Sequence, residues 1–366
     1  MIRVLFVAAS VKRAFFLSML RHFSGAVESE VLSPSYPRTR SSTQPSGSRN
    51  IFENVVGDSD TRKALAKFNP DVIYTDSPLY ASQLKLWQIG GQQKVPIILH
   101  LRGDLWREFF EWGKRSSAKS KLLGFPTYAS SLVGVTLAEK ITPICRWLQS
   151  EVRRHLPSKS TEVVYQGVDP AEFLPSSGMQ LNHPAVAIIQ NHTVYEKTLG
   201  LLRFGTVIAK LPEVNFYVAT GEDIKQSYFP LVEKCLGQFR NVHFLSGIGY
   251  PDGVKQLLAS SDLYVLASNL DCCPTTVLEA SLMQKPVLGS RVGGVPEIIS
   301  DGYTGWSIEN ENGEEWANRI QLLTQNTELS KQLGEQGRKW VSENFGWATI
   351  APQVERLIID EAERIH

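Results

Sequence analysis

The sequence predicts an α/β protein with two doubly wound domains. Three observations support this fold class: 366 residues suit two domains of ordinary size, 42% hydrophobic residues can fill sizeable cores, and short apolar runs alternate with helical patterns. The alternation is clearest in residues 262–299, where strand, loop, helix, strand, turn and helix follow one another. No apolar run reaches the roughly 20 residues of a membrane span.

Apolar runs of strand length recur through the first half of the chain. They predict strands at 4–8, 72–75, 96–101, 133–136 and 162–165. Helical periodicity predicts helices around 16–23, 60–68 and 144–155. Because parallel sheets bind ligands beyond the carboxyl ends of their strands, His100, at the end of a predicted strand, is a candidate site residue. A lone histidine in such a place more often has a structural role.

The second half repeats the pattern with shorter connections. It predicts strands at 185–190, 215–219, 242–245, 263–267 and 286–289. It predicts helices at 199–211 and 253–260, from Thr275 to the stop at Pro286, from 295 onward, at 314–324 and 329–344, and from 347 to 366.

The distribution of charge and the number and spacing of cysteines indicate the kind of partner and the cellular environment of the protein. Residues 1–165 carry 23 Lys and Arg against 13 Asp and Glu, and the remainder carries 15 against 24, so the first half favours an anionic partner. An alternative is that surface charge simply fell this way. The four cysteines show neither zinc spacing nor a disulfide framework, which predicts a reducing, cytoplasmic location. The apolar residues 1–9 indicate a first strand rather than a signal peptide.

The loop and first helical turn at 268–276 carry the strongest chemical signal. A helix N-terminus presents unpaired backbone N–H groups and the positive end of its dipole, so it binds anions such as phosphate. Thr275 and Thr276 add hydroxyl donors, Asp271 precedes them, and Glu279 follows eight residues after Asp271. Carboxylates so placed can accept hydrogen bonds from a sugar diol. An alternative is that Asp271 and Thr275 only cap the helix and Glu279 lies on the solvent face.

These residues form part of a longer pattern. Asp271 and Glu279 enclose seven residues, Pro286 opens the next strand, and residues 293–298 read GGVPEI. The pattern resembles the donor-site signature of the family-4 retaining glycosyltransferases of the GT-B fold, also called glycosyl transferases group 1. Here Asp stands for the commoner Glu, and Cys272-Cys273-Pro274 replaces the usual Gly-aromatic-Gly.

The resemblance implies two Rossmann-like domains facing a cleft. Residues 1–170 would bind the acceptor, residues 171–346 would bind the nucleotide sugar, and a C-terminal helix, 347–366, would cross back to the first domain. It further implies a retaining, metal-independent transfer of sugar from a UDP- or GDP-linked donor to a glycan or lipid-linked acceptor. We expect no cofactor, no metal site and no nucleic-acid partner.

The resemblance also implies roles for individual residues. His100, Lys197 and Asp271 would take part in catalysis: Lys197 on the diphosphate, His100 and Asp271 near the donor sugar. Glu279 would hold the ribose. The remaining donor-binding positions are His192, Gly247, Ile248, Tyr250, Pro274, Thr275 and Thr276. Among them, His192 stands where the family has an arginine, and a neutral imidazole offers one donor where a guanidinium offers a fork.

Two other functions fit the same fold. A nucleotide-sugar epimerase would need extra carboxylates at the site and no acceptor. A catalytically weak scaffold subunit is suggested by His192 and by Gln166, which stands where the family has an asparagine.

Residues 105–125 place aromatic side chains before cations. Aromatics beside a basic run suit the surface of an anionic membrane, which would place the enzyme peripherally on the inner face. The alternative is a helix that buries its aromatics in the core. The residues are Trp106, Phe109, Phe110 and Trp112, followed by Lys114, Arg115, Lys119 and Lys121.

Overall fold

The computed structural model describes residues 1–8, 13–33, 65–89, 94–115, 117–175, 177–190, 192, 194–221 and 228–364. The chain forms two compact units. The first comprises residues 1–167 with 347–366, and the second comprises residues 168–346.

The first unit contains a five-stranded parallel sheet in the order β2-β1-β3-β4-β5. Its strands are β1 Ile2–Val7, β2 Val27–Leu32, β3 Val72–Thr75, β4 Ile97–Leu101 and β5 Lys140–Pro143. Its first helices are α1 Arg13–Leu20, α2 Pro78–Gln88, α3 Leu105–Arg115, α4 Ala118–Leu137 and α5 Arg146–His155. The order reverses direction between β1 and β3, which marks the topological switch point of a doubly wound sheet.

Two strands predicted in this unit are wrong. Residues 133–136 lie inside α4, which packs so closely on α2 that a Cβ at Gly134 would come 1.9 Å from Pro78 O. Gly134 and Val135 are buried there, whereas Val133 and Thr136 are exposed, and periodicity alone does not separate helix from strand in so short a run. Residues 162–165 form no strand, although the backbone N–H groups of Glu162 and Val164 bond to β5 carbonyls.

The edge strand β2 was not predicted, because its central residues 28–30 are polar and exposed and therefore interrupt any apolar run. The predicted helix at 60–68 falls partly outside the described residues, and its described end, 65–68, is helical.

The second unit contains a six-stranded parallel sheet in the order β11-β10-β9-β6-β7-β8. Its strands are β6 Ala185–Ile189, β7 Asn215–Ala219, β8 Val242–Leu245, β9 Leu263–Leu266, β10 Val287–Ser290 and β11 Gly305–Ile308. Its helices are α6 Tyr195–Arg203, α7 Gly205–Ile208, α8 Phe229–Leu236, α9 Asp252–Ser260, α10 Thr275–Leu282, α11 Val295–Ile298, α12 Gly313–Gln325 and α13 Thr327–Phe345.

Sequence patterns located most of this unit, because each buried strand reads as an apolar run between polar turns. The strands at 215–219 and 242–245 are confirmed to the residue. The helix predicted at 199–211 is instead two shorter helices, α6 and α7. The strand β11 was missed because its sequence, GWSI, contains a glycine and a serine and forms no continuous apolar run.

The last helix, α14 Trp347–Glu363, returns to the first unit. Trp347, Ile350 and Leu357 share a hydrophobic core with Val4 and Phe6 of β1. A Cβ at Gly167 would lie 2.2 Å from the Trp347 ring, so glycine is required where the chain leaves this unit. The predicted crossing-back of a C-terminal helix is confirmed. Among the described residues, no helix combines the length and apolar character needed to span a bilayer.

Candidate functional site

The switch point of the second sheet lies between β6 and β9, which are neighbours in the sheet although two strands, β7 and β8, separate them in the chain. Ligands of doubly wound folds bind beyond the carboxyl ends of such strands. The connection after β6 leads to Lys197 on α6, and the connection after β9 carries Asp271. Topology therefore brings together two residues that are 74 positions apart in sequence.

The first turns of α6 are fixed against the loop that follows β9. The Asn269 N–H donates to Glu196 O at 3.2 Å, and Gln190 Nε2 donates to Lys197 O at 3.1 Å. A Cβ at Gly200 would come 2.5 Å from the Ser268 backbone, so only glycine permits this approach. The backbone of α6 thus holds the Lys197 side chain at the loop.

Lys197 and Asp271 form an ion pair. Lys197 Nζ lies 3.0 Å from Asp271 Oδ1, and the same oxygen accepts a bond from the Cys272 N–H at 3.0 Å. The Lys197 side chain keeps 26% of its surface exposed, whereas Asp271 keeps 10%. The ammonium group therefore remains available to an anion that approaches from solvent.

The two glycines of the GGVPEI segment pack against the backbone carbonyl of Asp271. Gly293 has φ +53, and a Cβ there would lie 2.0 Å from Asp271 O. The Gly294 N–H donates to the same carbonyl oxygen at 3.1 Å. A side chain at Gly293 would displace the Asp271 backbone, which explains the glycine in physical terms.

Glu279 is buried, with 2% of its surface exposed. Its Oε1 accepts a bond from the Tyr250 hydroxyl at 3.2 Å, and its Oε2 has no partner among the described residues. Burial, together with the smaller effect of the nearby Glu172 carboxylate, raises the pKa of Glu279 to about 7 against the lowering by the Tyr250 bond. A solvent-face role is thereby excluded. A buried oxygen without a partner calls for a donor from outside the chain.

Tyr250 joins Glu279 to an exposed aromatic surface. Its ring is 66% exposed while its hydroxyl reaches the buried carboxylate. Gly247, before it, has φ +70, and the Ile248 N–H donates to Thr220 O at 3.2 Å. The loop thus presents a flat face and a close backbone approach, the features that a planar base needs.

The helix α10 begins beside this loop. Pro274 is its N-cap residue and no side chain caps it, so Asp271 pairs with Lys197 instead of capping. Thr275 and Thr276 are half-buried, and the Tyr264 hydroxyl lies 2.8 Å from Thr276 Oγ1. The uncapped first turn leaves its N–H groups to an anion.

The His192 side chain is almost completely buried, whereas a phosphate-binding side chain is expected to be accessible from solvent. It is 1% exposed, its ring lies 5.3 Å from the Phe229 ring, and its Nδ1 is 3.5 Å from Thr198 Oγ1. Its Nε2 has no partner within the described part of the chain. Burial lowers the pKa of His192 to about 4, so the imidazole is neutral near pH 7 and lacks the charge of an arginine.

In the first unit, His100 is the penultimate residue of β4 and is 3% exposed. Its Nδ1 lies 3.2 Å from Thr142 Oγ1, and its ring stacks on Tyr74 at 6.1 Å. This is a different environment from that of the Lys197 and Asp271 pair, and it belongs to the other unit.

The candidate site residues did not include a polar cluster near His100. Arg102 donates to Gln166 Oε1 at 2.7 Å and contacts Asp76 Oδ2 at 3.4 Å. Asp76 and Arg102 follow β3 and β4 directly, so their position at strand ends was a signal that could have found them. The Gln166 amide oxygen accepts from Arg102, and its Nε2 donates to Gly167 O. The glutamine that stands where the family has an asparagine therefore has a local structural role.

Residues 105–125 match neither of the two expectations completely, that of a segment exposed for a membrane surface and that of a helix with its aromatics in the core. Trp106 stacks on His155 and Phe109 stacks on Tyr128, so these two aromatics pack on the protein. Phe110 is 62% exposed, with Lys114 Nζ 4.3 Å above its ring. Leu122 and Phe125, on α4, are 76% and 58% exposed. The side chains of Trp112, Arg115 and Lys119 lie outside the described part of the structure.

Comparison with known proteins supports the fold and the family. Residues 200–340 match the family model described as glycosyl transferases group 1. The N-acetyl-alpha-D-glucosaminyl L-malate synthase of Bacillus anthracis is 25% identical over 240 residues, 62% of this chain and 61% of that protein. The match thus spans about three fifths of the length of this curated relative.

Two solved structures resemble the whole chain. Sucrose-phosphate synthase from Thermosynechococcus elongatus has a TM-score of 0.75 at 15% identity, covering 98% of this chain and 99% of that one. Anabaena HepE, solved in complex with UDP-glucose, has a TM-score of 0.70 at 15% identity, covering 98% and 100%. The predicted fold class is confirmed: the chain has the two parallel sheets of the GT-B fold, and its residues 200–340 are similar to the glycosyl transferases group 1.

Proposed function

We propose that this protein is a retaining, metal-independent glycosyltransferase. It moves a sugar from a UDP- or GDP-linked donor to a glycan or lipid-linked acceptor. One observation carries the proposal: three features lie together at the switch point of the second sheet. They are the ion pair of Lys197 and Asp271, the uncapped start of α10, and the buried Glu279 carboxylate, whose Oε2 has no hydrogen-bond partner among the described residues. A nucleoside diphosphate sugar offers a matching set of groups, namely phosphates, ribose hydroxyls and a planar base.

Each group of the donor finds a physical counterpart. The exposed ring of Tyr250 stacks on the base, with Gly247 and Ile248 beside it, and the ribose hydroxyls donate to Glu279. The diphosphate binds Lys197 and the first turn of α10 at Pro274, Thr275 and Thr276. Asp271 accepts hydrogen bonds from sugar hydroxyls.

Catalysis follows from where charge develops. As the bond between sugar and phosphate breaks, the leaving diphosphate gains negative charge, and Lys197 with the α10 N–H groups stabilises it. These donors are fixed by the contacts of α6 and of the loop after β9, so little reorganisation is needed during the reaction. His192 contributes at most one neutral donor. His100 and the acceptor belong to the first unit.

The names of similar proteins agree with this class of reaction. They include a glucosaminyl malate synthase, a sucrose-phosphate synthase and a protein solved with UDP-glucose. These names contain different products, and we assign the choice of acceptor in this chain to its own first unit.

The test begins with a thermal-shift screen over nucleoside diphosphates. A ligand at 100 times its Kd should add about 2.7 kcal/mol to the free energy of unfolding. Radiolabelled sugar donors then separate the functions. A transferase moves label only with an acceptor, an epimerase changes the sugar without one, and a scaffold releases no nucleotide. Activity that chelator abolishes would contradict metal independence, and an inverted anomeric signal in the product would contradict retention.

The acceptor side extends the proposal to an anionic membrane surface. Phe110, Leu122 and Phe125 expose apolar area on α3 and α4, and Lys114 and Lys121 are exposed on the same helices. Each cation near an anionic bilayer contributes about 1 kcal/mol, and the attraction fades within a Debye length. A lipid-linked acceptor would explain why these groups face solvent.

Liposome co-sedimentation is expected to show binding that requires anionic lipid and weakens with salt. Replacing Lys114, Arg115, Lys119 and Lys121 by glutamine should release the protein. The matched control replaces four exposed lysines of the second unit, Lys210, Lys234, Lys331 and Lys339, and should bind like the parent. Equal partitioning onto neutral and anionic vesicles would exclude this surface as a membrane contact.

A further inference from the structure

Two adjacent cysteines lie in the loop that carries Asp271. Cys272 and Cys273 are both thiols, and 5% and 7% of their surfaces are exposed. The donor-binding roles proposed above use neither sulfur. A pair of neighbouring thiols at this point therefore needs its own account.

We infer that Cys272 and Cys273 form a reversible redox site that controls the donor loop. The inference rests on the proposed function for its effect on nucleotide binding, but the modification itself does not depend on it. Oxidation joins the two sulfurs in a vicinal disulfide and withdraws Asp271 from its working position. Reduction restores the loop.

The chemistry balances with a peroxide as oxidant. One thiol attacks hydrogen peroxide, becomes a sulfenic acid and releases water. The neighbouring thiol then displaces hydroxide from that sulfur, forming the S–S bond and a second water. The pair loses two hydrogen atoms, and the peroxide is reduced. The small exposed area admits an oxidant the size of water, and α10 begins just beyond the pair.

Covalent geometry makes such a bond labile. Cα atoms of neighbouring residues are about 3.8 Å apart across a trans peptide, which is shorter than the roughly 4.4–6.8 Å of relaxed disulfides. Pro274 adds constraint, because the residue before a proline is held near extended backbone. A strained disulfide has a more oxidising potential, so cellular thiols reduce it readily. This is the behaviour of a switch rather than of a structural cross-link.

The loop transmits the change because it is fixed on both sides. The Cys272 N–H bonds the Asp271 carboxylate, and the Asp271 carbonyl accepts from Gly294 with Gly293 packed against it. On the other side Pro274 begins α10. Twisting the 272–273 segment must therefore move either the Asp271 carboxylate or the start of α10, and both belong to the proposed diphosphate and sugar site.

The experiment treats the full chain with hydrogen peroxide and follows two readouts. Peptide mass spectrometry should find a Cys272–Cys273 bond, with two hydrogens lost. Calorimetry with UDP and with GDP should show affinity reduced by about tenfold or more, the factor of one lost hydrogen bond to a charged group. Dithiothreitol should restore both.

Variants make the test specific. Cys273→Ser should keep its affinity after peroxide, whereas the control Cys235→Ser, which leaves the pair intact, should lose affinity like the parent. A disulfide without loss of affinity, an equal loss in Cys273→Ser, or no bond within the pair would each overturn the inference. If the reduced protein binds neither nucleotide, the donor-site proposal fails, and the mass readout alone decides whether the redox site exists.

Discussion

Replacing Lys197 by alanine is expected to lower kcat/KM by roughly 100-fold or more, because the variant lacks a fixed positive charge where the leaving diphosphate gains negative charge. That factor corresponds to about 2.7 kcal/mol of transition-state stabilisation. The lysine sits 3.0 Å from Asp271 and remains one quarter exposed, so it can pair with the carboxylate at rest and reach phosphate when the donor binds.

A purely structural role for Lys197 makes a different prediction. If the lysine only holds Asp271, then Asp271→Asn should reproduce the defect of Lys197→Ala in every assay. If it binds diphosphate, Lys197→Ala should weaken the affinity for UDP or GDP without any sugar, and Asp271→Asn should leave that affinity nearly unchanged. The control Lys210→Ala removes an exposed lysine of the same unit. Activity of Lys197→Ala within a few-fold of the parent would end the catalytic assignment.

The sequence predicted the second unit far better than the first. Strands such as β7 and β8 are buried apolar runs between polar turns, so their boundaries are local information. The α4 helix is different, because its residues 133–136 read as a strand until the close packing at Gly134 is known. Packing of this kind joins segments that are distant in the sequence, and no local pattern contains it.

The candidate site divides in the same way. Spacing placed Asp271, Thr275 and Glu279 around one helix start, and the structure brings Lys197 to them. Spacing could not show that the Glu279 carboxyl is buried and bonded to Tyr250, or that His192 is enclosed beside Phe229. Burial and protonation arise from the three-dimensional surroundings of a group, so they become visible only in the fold.

Removing the charge of Glu279 is expected to change stability in a pH-dependent way. The folded protein raises the pKa of this carboxyl from 4.5 to about 7 because burial disfavours the charged form. Between those two values the folded state binds more protons than the unfolded state, so stability falls as pH rises through this window and levels off above it. Relative to Glu279→Gln, the parent should therefore lose on the order of 2–3 kcal/mol between pH 4.5 and pH 8.

Denaturant titrations at several pH values measure this difference. Comparing the two proteins at each pH cancels every other titrating group, and the neutral amide replaces a neutral acid at the low end. The control Glu213→Gln removes an exposed carboxyl of the same unit that does not act on Glu279, and its stability should follow that of the parent at every pH. Parallel stability curves for the parent and Glu279→Gln would show that Glu279 titrates normally. They would remove the argument that burial destabilises the charged form of this carboxyl.

The cost of keeping this carboxylate buried points to its use. Glu279 Oε2 has no partner among the described residues, and two ribose hydroxyls would supply the missing donors. Glu279→Ala should accordingly weaken nucleoside diphosphate binding by about 1–3 kcal/mol, the scale of a lost hydrogen bond to a charged group. An unchanged affinity in a folded Glu279→Ala protein would show that the carboxyl is not a ligand.

Donation to the charged form also lowers the carboxyl pKa, so nucleotide binding near pH 6.5 should release a proton from Glu279. Affinity should then rise with pH through the value of the unliganded protein, about 7. Phosphate groups of the nucleotide titrate in the same range, and Glu279→Gln separates the two sources because it keeps the phosphates and lacks the carboxyl. Calorimetry in buffers of different ionisation enthalpy counts the protons directly. An equal proton count for the parent and Glu279→Gln would place the titrating group on the nucleotide and leave Glu279 uninvolved.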